Sequence, residues 1–303
     1  MSGAHDHGAH AHGATPRSRL SLALAVIAAV FVIEVVGGIV TGSLALLADA
    51  AHMLTDLGAL AIAYAASVLA ERRPTRRHTY GFHRAEVLAA FVNAELILVV
   101  GVGILIEAGR RLLQPTEVEA AGVLAVGAIG LVANLVTLKL LGAHGPGELR
   151  IHVRAAALEV LMDLMASVAV VVGALAMWLT GAAWIDPLIS IAIGLAILPR
   201  ALHILAESSH ILLEGAPSDI DVSRVRSDLL AVTGVEAIHD LHVWTLTSGV
   251  HSASVHIQAG GESSHDQVLR EVQRVLREDA GVDHATVQIE WDSSPDCENR
   301  EHL

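Results

Sequence analysis

A single cysteine in 303 residues, Cys297, rules out any internal disulfide framework and implies a reducing environment. Aromatic residues are almost as scarce: four Trp, three Phe and two Tyr, 3% of the chain. That leaves no base-stacking platform and no evident aromatic girdle. Positive charge is short as well, with 19 Lys and Arg against 32 Asp and Glu, and a net charge of -13 is the wrong sign for a nucleic-acid binder. No nucleophile with a base, phosphate-cradling glycine loop or Walker motif is present, so neither an enzyme nor ATP-driven chemistry is expected. The first eighteen residues are polar and His-rich and lack the basic and apolar regions of a secretory leader, so no cleavage is expected.

What fills the chain is aliphatic. Hydrophobic residues make up 53% of it, and the mean hydropathy of +0.56 predicts a chain that is mostly membrane protein. Apolar windows long enough to span a hydrocarbon core fall at 19–40, 44–70, 86–109, 117–141, 153–180 and 184–206. Arg72, Arg73, Arg76, Arg77 and Arg84 crowd the connection after the second window, and Lys139, Arg150 and Arg154 flank the one after the fourth. Those connections are expected in the cytoplasm, with both termini on the same side. Arg110 and Arg111 break that rule, and the sequence offers snorkelling or pairing with Glu107 or Glu117 as the explanation.

Beyond about residue 212 the pattern becomes that of a small soluble domain. Ile220, Val222, Val225 and Leu229 have helical spacing; 238–247 and 250–259 are β-branched runs separated by Ser248-Gly249. A second helix is expected through Val268, Val272, Val275 and Leu276, and a third strand through Ala285, Val287, Ile289 and Trp291. The order αββαβ makes a compact α+β module, of a size steadied by dimerisation or metal. The expected organisation is therefore a flexible His-rich cytosolic tail (1–18), an all-α bundle of six transmembrane helices (19–208), a cytosolic α+β domain (209–295) and a C-terminal tail (296–303).

Chemistry is concentrated in two of the apolar windows. His52 and Asp56 lie four residues apart in the second, Glu159 and Asp163 four apart in the fifth. That spacing stacks each pair on one helix face. Ionisable groups at bilayer depth are costly and mark an ion pathway. Two such helices side by side aim four donors at one point, the coordination number of zinc, and the pattern predicts a divalent-metal transporter. Asp49 lies one turn before His52, either as an orienter of the ligand or as a packing acid. Metal binding requires a neutral imidazole and ionised carboxylates, so it expels protons and predicts proton coupling.

Three stretches carry a family resemblance: Leu47-Ala48-Asp49-Ala50-Ala51-His52-Met53-Leu54-Thr55-Asp56, then Tyr80-Gly81-Phe82-His83-Arg84-Ala85-Glu86, then His239-Asp240-Leu241-His242-Val243-Trp244. Together they resemble the cation diffusion facilitator family, in its bacterial zinc, cadmium and cobalt efflux branch, over about residues 19–295. The resemblance implies a homodimeric, multi-pass protein of the bacterial inner membrane. It would exchange divalent metal for protons by alternating access and carry a metallochaperone-like (ferredoxin-like) cytosolic domain. It places the transport site on His52, Asp56, Glu159 and Asp163, with Glu159 where most zinc members have His. Carboxylate-rich sites admit Mn, Fe or Co more readily, so selectivity is the open point.

The resemblance further implies a cytosolic metal site on His239, His256, Glu290 and Asp292, zinc being the expected ion. Strand alternation itself puts His256 and the row His284, Glu290 and Asp292 opposite the apolar face, a placement equally suited to solvated surface. In the connection after the second helix His78 matches a further family site, but Thr75 and Phe82 replace its other ligands and that site is expected to be missing; nearby His83 leaves room for a rearranged version. His5, Asp6, His7, His10 and His12 form a tract suited to weak metal capture, and Cys297 is a possible soft ligand. Two competing functions stand beside transport of metal: a membrane-anchored metal sensor, and an exporter of small organic cations running on buried acids.

Overall fold

The computed structural model describes residues 16–70, 75–142, 150–260 and 264–290. The His-rich tract, Arg72, Arg73, Trp291, Asp292 and Cys297 lie outside those residues. For Asp56 and Glu159 the helix positions are described and the side chains are not.

Six apolar helices account for the first two thirds of the chain: α1 (Pro16–Thr41), α2 (Leu44–Ala70), α3 (Arg84–Leu113), α4 (Ala120–Gly142), α5 (Arg150–Thr180) and α6 (Ile185–Leu212). Each expected window falls on one helix, but two overrun their expected ends. α3 continues to Leu113 because its two arginines find partners: Arg111 Nε donates to Glu107 at 3.1 Å and its Nη1 to the Gly42 carbonyl at 2.5 Å, while Arg110 lies 3.9 Å from Glu107. α6 runs on through Pro199 to Leu212, with Ser209 Oγ donating to the Leu205 carbonyl at 2.6 Å in the added turns. Arg84–Leu113, Leu161–Thr180 and Ile185–Leu212 are, among the described residues, long and apolar enough to cross a membrane, and Ala25–Thr41, Leu44–Thr55 and Ala120–Val136 are shorter apolar helical stretches.

The chain divides into two compact units, Met1–Ala61 with Glu95–Ala201 and Ile62–Ala94 with Leu202–Leu303. In the first, α4 packs against both α1 and α5. The interior is lined by small and mid-sized residues such as Ala45, Ala48, Ala51, Ile97, Val170 and Ala174. It also holds Glu34, Ser43, Asp49, Thr55, Ser167, Asp186 and Ser190, all buried. Large apolar side chains face outward instead, Val36, Val99, Val172, Trp178 and Leu195 among them. Polar inside and apolar outside suits lipid as the surrounding solvent, since hydrocarbon gives the helices no reason to hide leucine.

The second unit contains the sheet. Helix α7 (Val222–Leu230) starts at Asp221, whose carboxylate accepts from the amides of Ser223 and Arg224 at 2.9 and 3.2 Å. Strands β1 (Val235–Thr247) and β2 (Val250–Ala259) form an antiparallel hairpin, turned at Ser248-Gly249 with Gly249 at a φ of +72°. Helix α8 (His265–Arg274), extended by a wider turn over Val275–Asp279, then crosses over to β3 (His284–Glu290), which pairs in parallel with β2. This is the αββαβ order expected from the pattern, with β2 in the middle of the sheet. Val225, Leu229, Ile257, Val268, Val272 and Leu276 form its core, the apolar interior and charged exterior of a water-soluble fold. In the same unit Thr247 Oγ1 donates to Glu86 at 2.7 Å, tying the hairpin turn to the first turn of α3.

Candidate metal centres

Helix α2 is apolar nearly all round, so the residues that interrupt it stand out. His52 and Asp163, on α2 and α5, meet with Nε2 and Oδ1 at 2.6 Å. Both are only slightly exposed, at 15% and 22% of the side chain. Asp56 is one turn beyond His52 on α2, and Glu159 one turn before Asp163 on α5. At 3.6 residues per turn these positions share the faces of their neighbours. Asp49 is 4% exposed and takes a hydrogen bond from Ser167 Oγ at 3.4 Å; Ser167 in turn accepts from Asn134 Nδ2 at 3.0 Å. Its carboxylate is thus reached by one neutral donor of α5, which is itself held by an amide of α4. Glu34 of α1, 1% exposed, packs against Gly130 of α4, where any Cβ would meet its carboxylate.

The second constellation lies in the sheet. His239 and His256 face each other across the β1–β2 ladder with ring centroids 5.2 Å apart. Glu290, at the end of β3, brings one oxygen to 3.2 Å from His239 Nε2 and the other to 3.0 Å from His256 Nδ1. Glu290 is 9% exposed and takes a further hydrogen bond from Gln288 Nε2 at 2.8 Å. Past His239 the β1–β2 register shifts and Asp240 adopts a φ of +49°, so the strand breaks its alternation just beyond His239. His284 shares the strand with Glu290 but sits at its other end, its ring 6.0 Å from Tyr80.

No other group of three such donors comes together among the described residues. In the connection before α3, His78 stacks on Phe82 at 4.5 Å and its amide donates to Thr75 Oγ1, so the three positions build a turn. Two residues that spacing alone did not single out are also buried. Asp186 caps α2 from the start of α6. His251 lies between Thr245 Oγ1, at 3.3 Å from Nδ1, and Asp219, at 3.4 Å from Nε2. Both depend on partners far apart in sequence or across a hairpin, for which a local pattern carries no signal.

Comparison with known proteins accounts for both halves. Residues 20–213 match the family model "Cation efflux transmembrane domain" and 217–291 match "Cation efflux protein, cytoplasmic domain". The cation efflux system protein CzcD of Alcaligenes sp. (strain CT14) is 41% identical over 300 residues, 99% of this chain and 93% of that one. The zinc transporter ZitB of Yersinia pestis is 41% identical over 282 residues, 92% and 90% of the two chains. The cadmium, cobalt and zinc/H(+)-K(+) antiporter of Bacillus subtilis is 34% identical over 287 residues, 94% and 92%. A solved metal-bound C-terminal domain of the CzcD transporter from Cupriavidus metallidurans is 36% identical, with a TM-score of 0.23, covering 24% of this chain and 100% of its own. The chain is an integral membrane protein that belongs to the cation diffusion facilitator (cation efflux) family, in its zinc, cadmium and cobalt efflux branch.

Proposed function

We propose that this protein exports divalent metal, zinc foremost and cadmium or cobalt with it, in exchange for protons by alternating access. The observation that carries this reading is the approach of His52 to Asp163 at 2.6 Å between two apolar helices. A histidine and an aspartate that close, away from water, form a site only an ion or a proton can occupy in turn. Asp56 and Glu159 complete a set of one imidazole and three carboxylates. Metal expels protons from these groups, and protons arriving from the more acidic side displace metal there. The relatives, a zinc transporter and a cadmium, cobalt and zinc antiporter, support the cargo and the coupling.

The same reading places all six apolar helices, residues 19–208, across a bacterial inner membrane with both termini in the cytoplasm. It assigns 209–295 to a cytosolic domain through which two copies pair; the match of 217–291 to a cytoplasmic domain of cation efflux proteins supports the cytosolic placement. That domain has room for a resident ion. The His239 Nε2 is buried with no aligned hydrogen-bond partner. The N–O separations of 3.2 and 3.0 Å there are close to the roughly 3.3 Å between ligands of tetrahedral zinc with bonds of about 2.0 Å. His239, His256 and Glu290 would hold the ion, with Asp292 as a fourth ligand, and the ion would supply a rigid cross-link within the sheet.

A second reading, export of Mn or Fe, is favoured by one feature, the carboxylate at 159 in place of an imidazole. A metal sensor that moves nothing leaves the buried His52–Asp163 pair without a task, and an organic-cation exporter leaves the histidine unexplained. Proteoliposomes loaded with a pH dye and challenged with Zn, Cd, Co or Mn decide among them. Zinc- or cadmium-driven proton movement that disappears in Asp163→Ala supports the proposal. Movement with Mn alone assigns the harder metals, and no movement with any metal refutes proton-coupled transport.

A further inference from the structure

Ser43 is the N-cap of α2, its Oγ accepting from the Leu46 amide at 3.2 Å. That alone is an adequate cap, yet a carboxylate from another helix is added to it. Asp186, the second residue of α6, is fully buried. It accepts from Ser43 Oγ at 2.5 Å, from the Leu44 amide at 2.8 Å and from the Ala45 amide at 3.3 Å. Its own main-chain carbonyl accepts from Ser190 Oγ at 2.7 Å. The turn before the cap is held just as firmly, with Arg111 donating to Gly42 and the Glu119 amide to Thr41.

We infer that Asp186 is a positioning residue for the metal site: by capping α2 from α6 it fixes the height and rotation at which α2 presents His52 to Asp163. This rests on the proposed assignment of the transport site. His52 lies eight residues past Leu44, roughly 12 Å along the helix at about 1.5 Å per residue. A slip of one residue turns it by about 100°, which would aim the imidazole away from α5. A carboxylate set against the helix N-terminus, where the free amides and the dipole converge, resists both sliding and rotation. Ser43, Leu44, Ala45 and Asp186 are all buried, so those amides have no water to fall back on and the tie is stronger than the same contact on a soluble surface.

The test is cobalt binding to the full-length protein carrying His239→Ala and His256→Ala, so that only the membrane site reports through its visible absorption band. In that background Asp186→Ala is expected to weaken cobalt binding about tenfold and broaden the band, with helix content unchanged. Ser43→Asp combined with Asp186→Asn returns a carboxylate to the same amides and is expected to restore both. Should Asp186→Ala not fold, Ser43→Ala, which removes one hydrogen bond to the carboxylate together with the cap bond from the Leu46 amide, is expected to weaken cobalt binding about threefold. Unchanged affinity and band in Asp186→Ala, or in Ser43→Ala where that variant stands in for it, overturn the positioning role, as does failure of the swap to restore binding. A band that survives Asp163→Ala overturns the transport-site assignment, and this inference with it.

Discussion

The helical unit and the sheet unit use the same donors, imidazole and carboxylate, in opposite surroundings. In the helices His52 and Asp163 lie behind an exterior of valine, leucine and tryptophan, and the interior is where polar residues collect. In the sheet domain His239, His256 and Glu290 sit beside a core of valine, leucine and isoleucine, and charge collects outside. The difference teaches that a polar cluster takes its meaning from its solvent. In a bilayer a histidine–carboxylate pair is costly unless an ion uses it. On the face of a soluble sheet a similar cluster costs less, and the ion proposed there would stiffen the domain rather than pass through it.

The comparison breaks first at the membrane pair. His52→Ala or Asp163→Asn is expected to cut metal-driven proton flux by a factor on the order of 100 or more, because each removes a donor of the proposed transport site. Flux assays in proteoliposomes check this, and a loss of only a few-fold would make the pair a packing contact. Next in size, Glu159→His supplies the missing second imidazole. The ratio of zinc to manganese flux is expected to rise about tenfold, and an unchanged ratio would separate selectivity from this position.

The soluble cluster sharpens the contrast with a different readout. Zinc in excess is expected to raise the thermal midpoint of the sheet domain in the full-length protein, by an amount set by its concentration relative to Kd, and His239→Ala or Glu290→Gln to abolish the rise. The rise should fade on acidification, because protons compete with metal for the same donors. Packing gives a further contrast. Leu229→Ala empties a fully buried site in the sheet domain and is expected to cost about 2–5 kcal/mol in chemical unfolding, whereas Val172→Ala, on an outward face of α5, changes stability by only about 0.5 kcal/mol.

The smallest effect belongs to the surface of α8. The Arg274 guanidinium hydrogen-bonded to Glu271 holds that carboxyl below the ordinary glutamate range. A depressed carboxyl stabilises the fold above its unfolded pKa, and that contribution is lost as pH falls through the lower folded value. Because the pair is fully exposed, Glu271→Gln should flatten this acid limb only slightly, and moderate salt should hide the difference.

Much of this was legible in the sequence for physical reasons that differ between the regions. The helices announced themselves by length, since nothing but an apolar run can satisfy its backbone in hydrocarbon, and His52 and Asp163 by their rarity there. In the sheet domain alternation gave the strands, and the turn at Ser248-Gly249 gave the hairpin. What escaped was long-range pairing. Nothing near Asp186 signals that it caps a helix 142 residues earlier. Nothing near Arg111 signals that the Gly42 carbonyl accepts a hydrogen bond from it at the end of α3. Which of His239, His256, His284 and Glu290 converge depended on the register shift beyond His239 and on the parallel return of β3, and the family resemblance carried what local pattern could not.

The most direct test of the division of labour is metal-driven proton flux measured side by side for Asp163→Ala and for the double variant His239→Ala/His256→Ala. The account predicts no flux with any metal in the first. The second retains flux and shifts only the metal concentration at which it is half-maximal. Flux that survives in Asp163→Ala and vanishes in the double variant would contradict it, moving the ion path from the helices to the sheet.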